Sequence, residues 1–295
     1  MMIIGYFADG PWSHRALDKL LSNPEIKIAF ICARYDHQDP VLKLKADQFG
    51  IPFLVHPNIN DEIFLEQIKG YRSDLFVSMS FNQIFRKRTI ETPPMGTINC
   101  HAGKLPFYRG RNILNWALIN DEKEFGVTVH YVDEGIDTGD IIRQECFPIT
   151  DQDDYNTLLE RTYRACADLL AQSVEELRRG KAKRLSQQDF HPLGSYCSAR
   201  GPGDERLNWN QPSRQVFNFV RAICPPGPSA RCYLGSHEIK INKVEFFLDA
   251  PSYIGIPGAV LAKNEHSFLV KTSDSYVRVL AWESDKKIKV GDRLT

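Results

Sequence analysis

The first half of the chain alternates short apolar runs with stretches in which apolar residues recur every three or four positions. The apolar runs have strand length, and they predict β-strands at 2–8, 27–33, 52–55 and 74–78. The stretches between them have helical periodicity, and they predict helices at about 14–21, 39–49 and 61–70. Strands that alternate with helices at this spacing favour an α/β fold with a Rossmann-like, mostly parallel sheet and helices on both faces.

The pattern changes after the middle of the chain. The predicted elements there are, in order, a strand at 96–101, a helix at 111–119, a strand at 126–132 and a long helix at about 154–180. Turn-forming residues at 192–202 indicate a linker. A helix at 213–223 and short strands separated by Gly, Pro and Asn turns then predict a smaller, mainly β domain. We therefore expect a larger N-terminal domain at 1–200 and a helix plus small β domain at 201–295.

Composition disfavours several classes of protein. Lys plus Arg equals Asp plus Glu at 37 each, so no net charge attracts a polyanion, and we expect no nucleic-acid partner. The seven Cys residues form no C-x-x-C pair and indicate reduced thiols in a cytoplasmic protein. The His residues do not cluster with other ligands at metal-binding spacing, so we expect no metal. The N-terminus lacks signal-peptide features, and no apolar run has membrane-spanning length, so we expect no membrane association.

Two polar side chains mark the end of the strand at 96–101. Asn99 and His101 point to one face of this strand, whereas Cys100 points to the other. Further along, the turn-rich segment 133–140 can bring the carboxylate of Asp137 back to the imidazole. An amide, an imidazole and a carboxylate can stabilise the oxyanion at an attacked carbonyl and transfer protons, so this set suits acyl transfer. On spacing alone, an Asn-x-His at a strand end more often reflects ordinary turn chemistry than catalysis, and an Asp in an acidic, Gly-rich turn is common loop material.

Four motifs follow one another in this part of the chain: Asn99-Cys100-His101, Leu105-Pro106-Phe107-Tyr108-Arg109-Gly110, Gly126-Val127-Thr128-Val129 and Asp133-Glu134-Gly135-Ile136-Asp137-Thr138-Gly139-Asp140. Together they resemble the folate-dependent formyltransferases. This superfamily contains methionyl-tRNA formyltransferase, glycinamide ribonucleotide transformylase and the sugar-nucleotide N-formyltransferases. The resemblance implies that Asn99, His101 and Asp137 are catalytic and that 1–200 is the catalytic domain. One difference is that the family often has Pro-Ser after the His, where this chain has Ala102-Gly103.

The resemblance also implies the formyl donor, 10-formyltetrahydrofolate. In the family, the loop after the fourth strand and the turn before the catalytic Asp hold the pterin, largely through backbone groups. Core packing is the alternative role for Phe81 and Ile84. In the C-terminal part, 257–261 and 287–292 are similar to the OB-like domain of the tRNA-specific members. The pterin-binding candidates are Phe81, Gln83, Ile84, Asp133, Gly135 and Ile136.

The acceptor of the formyl group is less constrained, and the family offers four: an amino-sugar nucleotide, the amino acid on initiator tRNA, glycinamide ribonucleotide, or water. The C-terminal extension disfavours the glycinamide enzyme, and a first strand at Met2 disfavours the deformylases. The tRNA enzymes typically carry a basic loop after the second strand, where this chain has the short, acidic Arg34-Tyr35-Asp36-His37-Gln38-Asp39-Pro40. We therefore favour a nucleotide-linked amino sugar, with a dTDP-amino-dideoxyhexose as the first choice, and methionyl-tRNA formyltransferase as the alternative.

A nucleotide sugar brings a base that can stack and a diphosphate that can pair with cations. Trp12 is the stacking candidate, with core packing as its alternative role. The segment Tyr108-Arg109-Gly110-Arg111 places two cations where a phosphate could bind, with His14 as a third candidate; a solvated loop is the alternative for this segment. The implied product is a formamido sugar for bacterial surface glycans such as the O-antigen of lipopolysaccharide. A folate-binding protein without activity is a less favoured alternative, and a homodimer remains open.

Overall fold

The structure is a computed structural model, and it describes residues 1–295. The chain divides into two compact units that are interleaved in sequence. The first consists of 1–110, 125–147 and 160–197, and the second of 111–124, 148–159 and 198–295. The second unit thus includes two segments from the middle of the chain. The two predicted domains, 1–200 and 201–295, are continuous ranges, whereas these units are interleaved, so the domain boundaries stay a prediction.

The secondary structure alternates between strands and helices up to residue 101, as the apolar pattern predicts. The strands of this part and of the middle of the chain are β1 (Met2–Ala8), β2 (Ile26–Ala33), β3 (Phe53–Val55), β4 (Leu75–Met79), β5 (Thr97–His101), β6 (Arg109–Gly110), β7 (Glu124–Tyr131), β8 (Ile141–Pro148) and β9 (Tyr196–Cys197). The helices are α1 (Gly10–Leu21), α2 (Pro40–Phe49), α3 (Glu62–Lys69), α4 (Lys87–Ile90), α5 (Ile113–Ile119) and α6 (Tyr155–Arg178), with a 3-10 turn at Gln187–Asp189.

The central sheet has seven strands in the order β3-β2-β1-β4-β5-β7-β8. The pairs from β3 to β5 are parallel, and β7 is antiparallel to β5. The chain order crosses over beside β1, where β2 lies on one side and β4 on the other. This mostly parallel sheet with helices confirms the predicted fold class.

The two faces of this sheet have different partners. Phe7 of β1 lies in an aromatic core cluster with Phe30, Phe76 and Phe64, the last of which belongs to α3. On the opposite face, Tyr6 is buried, and its hydroxyl donates to the carbonyl of Ser13 in α1. Because side chains alternate along a strand, odd and even positions of β1 meet different helices. Both faces are therefore covered, which explains the continuous apolar runs of these strands.

Two differences from the predicted elements have local causes. α1 begins at Gly10 rather than near His14, because Pro11 lies in the first turn, where its missing N–H costs no hydrogen bond. β8 is absent from the predicted set because Arg143-Gln144-Glu145 interrupts its apolar pattern. In addition, the predicted linker at 192–202 contributes β9, which pairs in parallel with β6.

The second unit contains a five-stranded antiparallel sheet, as predicted for a small, mainly β domain. The helix α7 (Ser213–Ile223) packs against both α5 and this sheet. The strand order is β10-β11-β14-β13-β12. The strands are β10 (Ala230–Leu234), β11 (His237–Glu245), β12 (Val260–Lys263), β13 (Phe268–Lys271) and β14 (Tyr276–Ser284).

Candidate active site

The register of three neighbouring strands places the central polar residues in one row. Ser78 of β4 pairs with Asn99 of β5, and Asn99 pairs with His130 of β7. Residues paired across a sheet project to the same face. Asn99 and His101, two positions apart on β5, therefore share a face with His130, as the alternation of the strand predicts for the first two. Cys100 points to the other face, where its thiol lies 3.7 Å from the carbonyl of Cys166 in α6.

Asp137 completes this cluster from the turn that follows β7. One carboxylate oxygen, Oδ2, lies 3.6 Å from His101 Nδ1, and the other, Oδ1, lies 3.5 Å from His130 Nε2. The backbone N–H of Gly110 donates to Oδ2 at 2.9 Å. Residue 137 has a φ of 53°, in the left-handed region that Asp tolerates better than most side chains. The structure thus brings Asn99, His101 and Asp137 together, although their catalytic roles stay a prediction.

The carboxylate of Asp137 is held in its charged form. Burial raises its pKa, but the neighbouring imidazoles of His101 and His130 and the N–H of Gly110 outweigh burial, so the pKa lies well below its usual value. The side chain is 14 % exposed, so water screens these interactions only weakly. A permanently ionised carboxylate is a poor proton acceptor, but it strongly favours positive charge on a ring beside it. It is therefore placed to orient an imidazole and to stabilise positive charge that forms on it during a reaction.

The ring of His101 is fixed through its other nitrogen. Nε2 lies 2.7 Å from the carbonyl oxygen of Tyr108, which only accepts, so Nε2 carries a hydrogen. Nδ1 then faces Asp137 across a gap that is too long for a direct hydrogen bond. The close approach to Tyr108 requires a residue without a side chain at 103, because a Cβ there would lie 2.5 Å from the same carbonyl. Gly103, at a point where the chain differs from the family's usual pattern, therefore keeps this space open for the ring.

His130 is a site residue that the sequence analysis did not identify. Its Nδ1 lies 2.7 Å from the carbonyl of Tyr131, and its Nε2 lies 3.2 Å from the amide nitrogen of Asn99. It is 3 % exposed and lies between the amide and the carboxylate of the cluster. The signal for it was the strand pattern of 126–132, in which His130 alternates with apolar residues. That pattern identifies it only once the antiparallel register with β5 is known.

The candidates for pterin binding after β4 have mixed environments. Phe81 packs against the aromatic core cluster, 5.6 Å from Phe7 between ring centroids. The side chain of Gln83 donates to the carbonyl of His56 and accepts from the N–H of Ile59, so it braces the loop. Ile84, in contrast, is 56 % exposed. The core-packing alternative thus describes Phe81 and does not describe Ile84.

The second set of candidates lies in the turn before Asp137. The carboxylate of Asp133 accepts hydrogen bonds from the N–H of Gly135 and the hydroxyl of Thr138, which closes the turn on itself. Ile136 projects outward and is 56 % exposed. Val132, at the start of this turn, contacts the same core cluster as Phe81. Each of the two loops thus carries one exposed apolar side chain and contacts the same core cluster, and their binding of the pterin stays a prediction.

The candidates for binding the acceptor have protein partners of their own. The ring of Trp12 packs edge-on against Tyr163, 4.7 Å between centroids. His14 Nε2 lies 2.6 Å from the carboxylate of Asp39, which is itself buried and caps α2. A carboxylate so close to His14 repels a phosphate. The stacking role of Trp12 and the phosphate role of His14 therefore gain no support from their surroundings.

Arg109 differs most from its predicted role as a free cation. It is 7 % exposed, and its guanidinium donates to the side-chain oxygen of Gln187, to the carbonyl of Leu193 and to the hydroxyl of Tyr196. These contacts use four of its five N–H donors, so the predicted phosphate role of Arg109 gains no support from its surroundings and stays a prediction. Tyr108 contributes its carbonyl to His101, as described above. Arg111 is exposed and belongs to the second unit.

Two further properties bear on the chemistry. No group of three or more His, Cys, Asp or Glu side chains is arranged to hold a metal ion. None of the helices combines the length and apolarity that crossing a membrane requires.

Comparisons with known proteins identify the family. The family model described as Formyl transferase matches residues 7–174, and the model described as Formyl transferase, C-terminal domain, matches 201–293. Methionyl-tRNA formyltransferase of Syntrophus aciditrophicus is 35 % identical over 257 residues, which cover 86 % of this chain and 81 % of the relative. The same enzyme of Thermodesulfovibrio yellowstonii is 33 % identical over 251 residues, covering 85 % and 78 %.

Solved structures share the fold at lower identity. The sugar 3N-formyl transferase WlaRD, solved with dTDP and 5-N-formyl-THF, has a TM-score of 0.71 at 22 % identity, covering 98 % of this chain and 99 % of that one. The N-formyltransferase from Helicobacter canadensis, solved with folinic acid and dTDP-3-aminofucose, has a TM-score of 0.72 at 20 % identity, covering 96 % and 100 %. The matches of both family models, over most of the chain, show that this protein belongs to the formyl transferase family and takes its formyl group from 10-formyltetrahydrofolate.

Proposed function

We propose that this formyltransferase transfers the formyl group to the amine of a nucleotide-linked amino sugar, with a dTDP-amino-dideoxyhexose favoured, for the synthesis of surface glycans. The observation that carries this choice is the charge state of the segment after β2, at residues 34–39. A protein that holds an RNA there needs free cations to neutralise its phosphates. All seven cysteines are free thiols, which is consistent with the cytoplasmic location expected for such an enzyme.

Arg34 is the only Lys or Arg of this segment, and acidic neighbours neutralise it. Its guanidinium forms a two-point contact with Asp36, at 3.0 Å and 2.7 Å, and reaches Asp9 at 3.4 Å. The hydrogen bond from Arg34 lowers the pKa of Asp36 to about 2, so this carboxylate is charged at neutral pH. Asp39 at the end of the segment is held by His14 and by the N-terminus of α2. The segment therefore offers an RNA phosphate two carboxylates, Asp36 and Asp39, and no unpaired Lys or Arg.

The similar solved structures that hold dTDP or a dTDP-sugar support the same choice through their fold. The second candidate is formylation of the methionine carried by initiator tRNA. It is favoured by the names of the sequence relatives, which are methionyl-tRNA formyltransferases at 31–35 % identity. The two candidates use the same donor and the same central residues, so they differ only in the surface that holds the acceptor.

In the proposed reaction, the neutral amine of the sugar attacks the formyl carbon of the donor, and tetrahydrofolate leaves. The amide of Asn99 donates to the formyl oxygen as it gains negative charge. His101 uses Nδ1 for the reaction, because its Nε2 is bonded to the carbonyl of Tyr108. Asp137 stabilises the positive charge that this ring gains when Nδ1 accepts the proton of the amine, and the ring then gives that proton to the N10 nitrogen of the departing tetrahydrofolate. His130 holds Asn99 and Asp137 in place from the adjacent strand.

A panel of acceptors tests the proposal. The protein is incubated with 10-formyltetrahydrofolate and, separately, with thymidine- and uridine-linked amino sugars, charged initiator tRNA, glycinamide ribonucleotide and no acceptor. Mass spectrometry detects the gain of one formyl group. We expect formylation of a dTDP-linked amino sugar and none of the tRNA; formylation of tRNA alone would refute the choice of acceptor.

A variant pair links the result to the segment after β2. Arg34→Gln removes the only Lys or Arg of the segment, and Arg15→Gln, an exposed cation of α1, is its matched control. If a sugar is the acceptor, both variants keep the wild-type rate within about twofold. A tRNA acceptor that relied on this segment would lose rate with Arg34→Gln alone and would show a strong dependence on salt.

A further inference from the structure

Gln187, fifty residues from Asp137 in sequence, is bonded to the backbone of the turn that carries the carboxylate. Its amide nitrogen Nε2 donates to the carbonyl of Asp137 at 2.8 Å and to the carbonyl of Gly139 at 2.8 Å. The side chain is 2 % exposed. Both hydrogens of the amide are thus used on the two sides of residue 138, in a site that water does not reach.

The oxygen of the same amide is bonded as completely. It accepts from Nε of Arg109 at 3.0 Å and from Nη2 at 2.7 Å. Arg109 is held in turn by Leu193 and Tyr196, with its guanidinium 5.2 Å from the centroid of the Tyr196 ring. Arg109 is therefore held in one place, and the hydrogen bonds of Gln187 connect it to the turn at 137–139.

These bonds close a ring around the carboxylate. The residue after Arg109 is Gly110, whose N–H donates to Oδ2 of Asp137. The ring runs from the side chain of Asp137 to Gly110, through Arg109 to Gln187, and back to the carbonyl of Asp137. The left-handed backbone of residue 137 is a costly conformation that persists only where the surroundings impose it. Gln187 and Gly110 hold this residue at its two ends, the backbone carbonyl and the carboxylate.

We propose that Gln187 is a positioning residue for formyl transfer: its two N–H bonds fix the backbone of 137–139 so that the carboxylate of Asp137 faces the imidazoles of His101 and His130. This role rests on the proposed catalytic function of Asp137. Displacements near 1 Å at a reacting centre commonly reduce rates by about 100-fold. The loss of the two N–H donors should therefore reduce kcat far more than it changes the KM for the acceptor.

Two variants test the N–H donors of Gln187 separately from its acceptor oxygen. Gln187→Glu keeps the size of the side chain and an oxygen for Arg109, but it cannot donate to the two carbonyls. Gln187→Met keeps the length and makes neither bond. Asn115→Asp is the matched control, because Asn115 is also a buried amide that donates to a backbone carbonyl, that of Ala222 at 2.5 Å. Thermal unfolding and binding of 5-formyltetrahydrofolate show that each variant is folded.

The readout is single-turnover formyl transfer from 10-formyltetrahydrofolate to the acceptor that the panel identifies. We expect both Gln187 variants to lower the rate by about 10- to 100-fold, whereas Asn115→Asp lowers the unfolding temperature and keeps the rate within about twofold. In an Asp137→Asn background, the same Gln187 changes should cost less than about threefold, because their effect passes through the carboxylate.

Three results overturn the proposal. They are a wild-type rate for Gln187→Glu with a reduced rate for Gln187→Met, a wild-type rate for both, and an equal penalty with and without Asp137. The first would mean that Gln187 serves only to satisfy Arg109, and the third that its role is structural. A wild-type rate for Asp137→Asn alone would instead refute the catalytic role of Asp137, so the two failures are distinguishable.

Discussion

Replacing Asp137 by Asn removes one negative charge and keeps the shape of the side chain. The amide can still accept from the N–H of Gly110, so the turn has no reason to unfold. What is lost is the attraction between the carboxylate and the imidazolium that forms on His101 during the reaction. At 3.6 Å and an effective dielectric constant of about 20, that attraction is about 5 kcal/mol. Solvent around the partly exposed side chain and the new amide dipole compensate part of it.

The net loss can be bounded by what single stabilising groups contribute in other enzymes, about 3–4 kcal/mol. We therefore expect Asp137→Asn to lower kcat by roughly 150- to 900-fold, since each 1.36 kcal/mol is tenfold in rate. The KM for 10-formyltetrahydrofolate should change little, because the charge acts on the reacting ring rather than on the bound donor. Single-turnover transfer, followed by the mass of the acceptor, measures the chemical step directly.

Asp140→Asn is the matched control for this change. Asp140 lies in the same turn, and its carboxylate contacts only the exposed Arg184 in an ion pair of 3.1 Å. Exposed pairs contribute little, so this variant should keep kcat within about twofold. A rate for Asp137→Asn within threefold of wild type, in a folded protein, would refute the electrostatic role of the carboxylate.

Three further changes test the structure around the site and away from it. Gly103→Ala places a methyl group against the Tyr108 carbonyl, so we expect it to lower the free energy of unfolding by about 1–3 kcal/mol and to reduce kcat. Gly201→Ala is the control and should change neither quantity, because its added methyl group meets no atom within 4 Å. Folding lowers the pKa of Asp137, so the contribution of this carboxylate to the free energy of unfolding is complete at neutral pH. This contribution is lost as the pH falls through the pKa of Asp137 in the folded state. The free energy of unfolding should therefore decline more steeply below about pH 5 in wild type than in Asp137→Asn, as denaturant titrations can measure. Asp61→Ala removes the cap of α3, which accepts from two backbone N–H groups, and should cost about 1 kcal/mol in the same titrations without affecting the rate of transfer; an unchanged midpoint would contradict the cap.

Much of the fold could be predicted because its signals are local. Buried parallel strands carry unbroken apolar runs, as Met2–Ala8 does, and caps such as Asp39 with Pro40 fix where a helix begins. β8 was missed because its polar residues at 143–145 break the run. The interleaving of the two units could not be predicted, since which segments pack together is a property of the folded chain.

The residues of the candidate site also divide into those with local sequence signals and those that depend on long-range contacts. The spacing of Asn99 and His101 on one strand requires only the period of two, so it could be predicted. The contacts of Arg109 could not be predicted, because burial decides whether a guanidinium is free to bind a ligand. Its partners lie 78–87 residues away in sequence. The positions of His130 and Gln187 beside the site could not be predicted, because they depend on strand register and on long-range hydrogen bonds to the backbone.

The interleaved course of the chain limits how this enzyme can be divided. A fragment ending at residue 200 would retain α5 but lose α7, the helix against which it packs, and with it the carbonyl of Ala222 that Asn115 binds. Such a fragment would expose apolar surface to water and aggregate. Chimaeras that graft residues 198–295 from a relative should therefore also carry that relative's equivalents of 111–124 and 148–159, since these three segments form one compact unit.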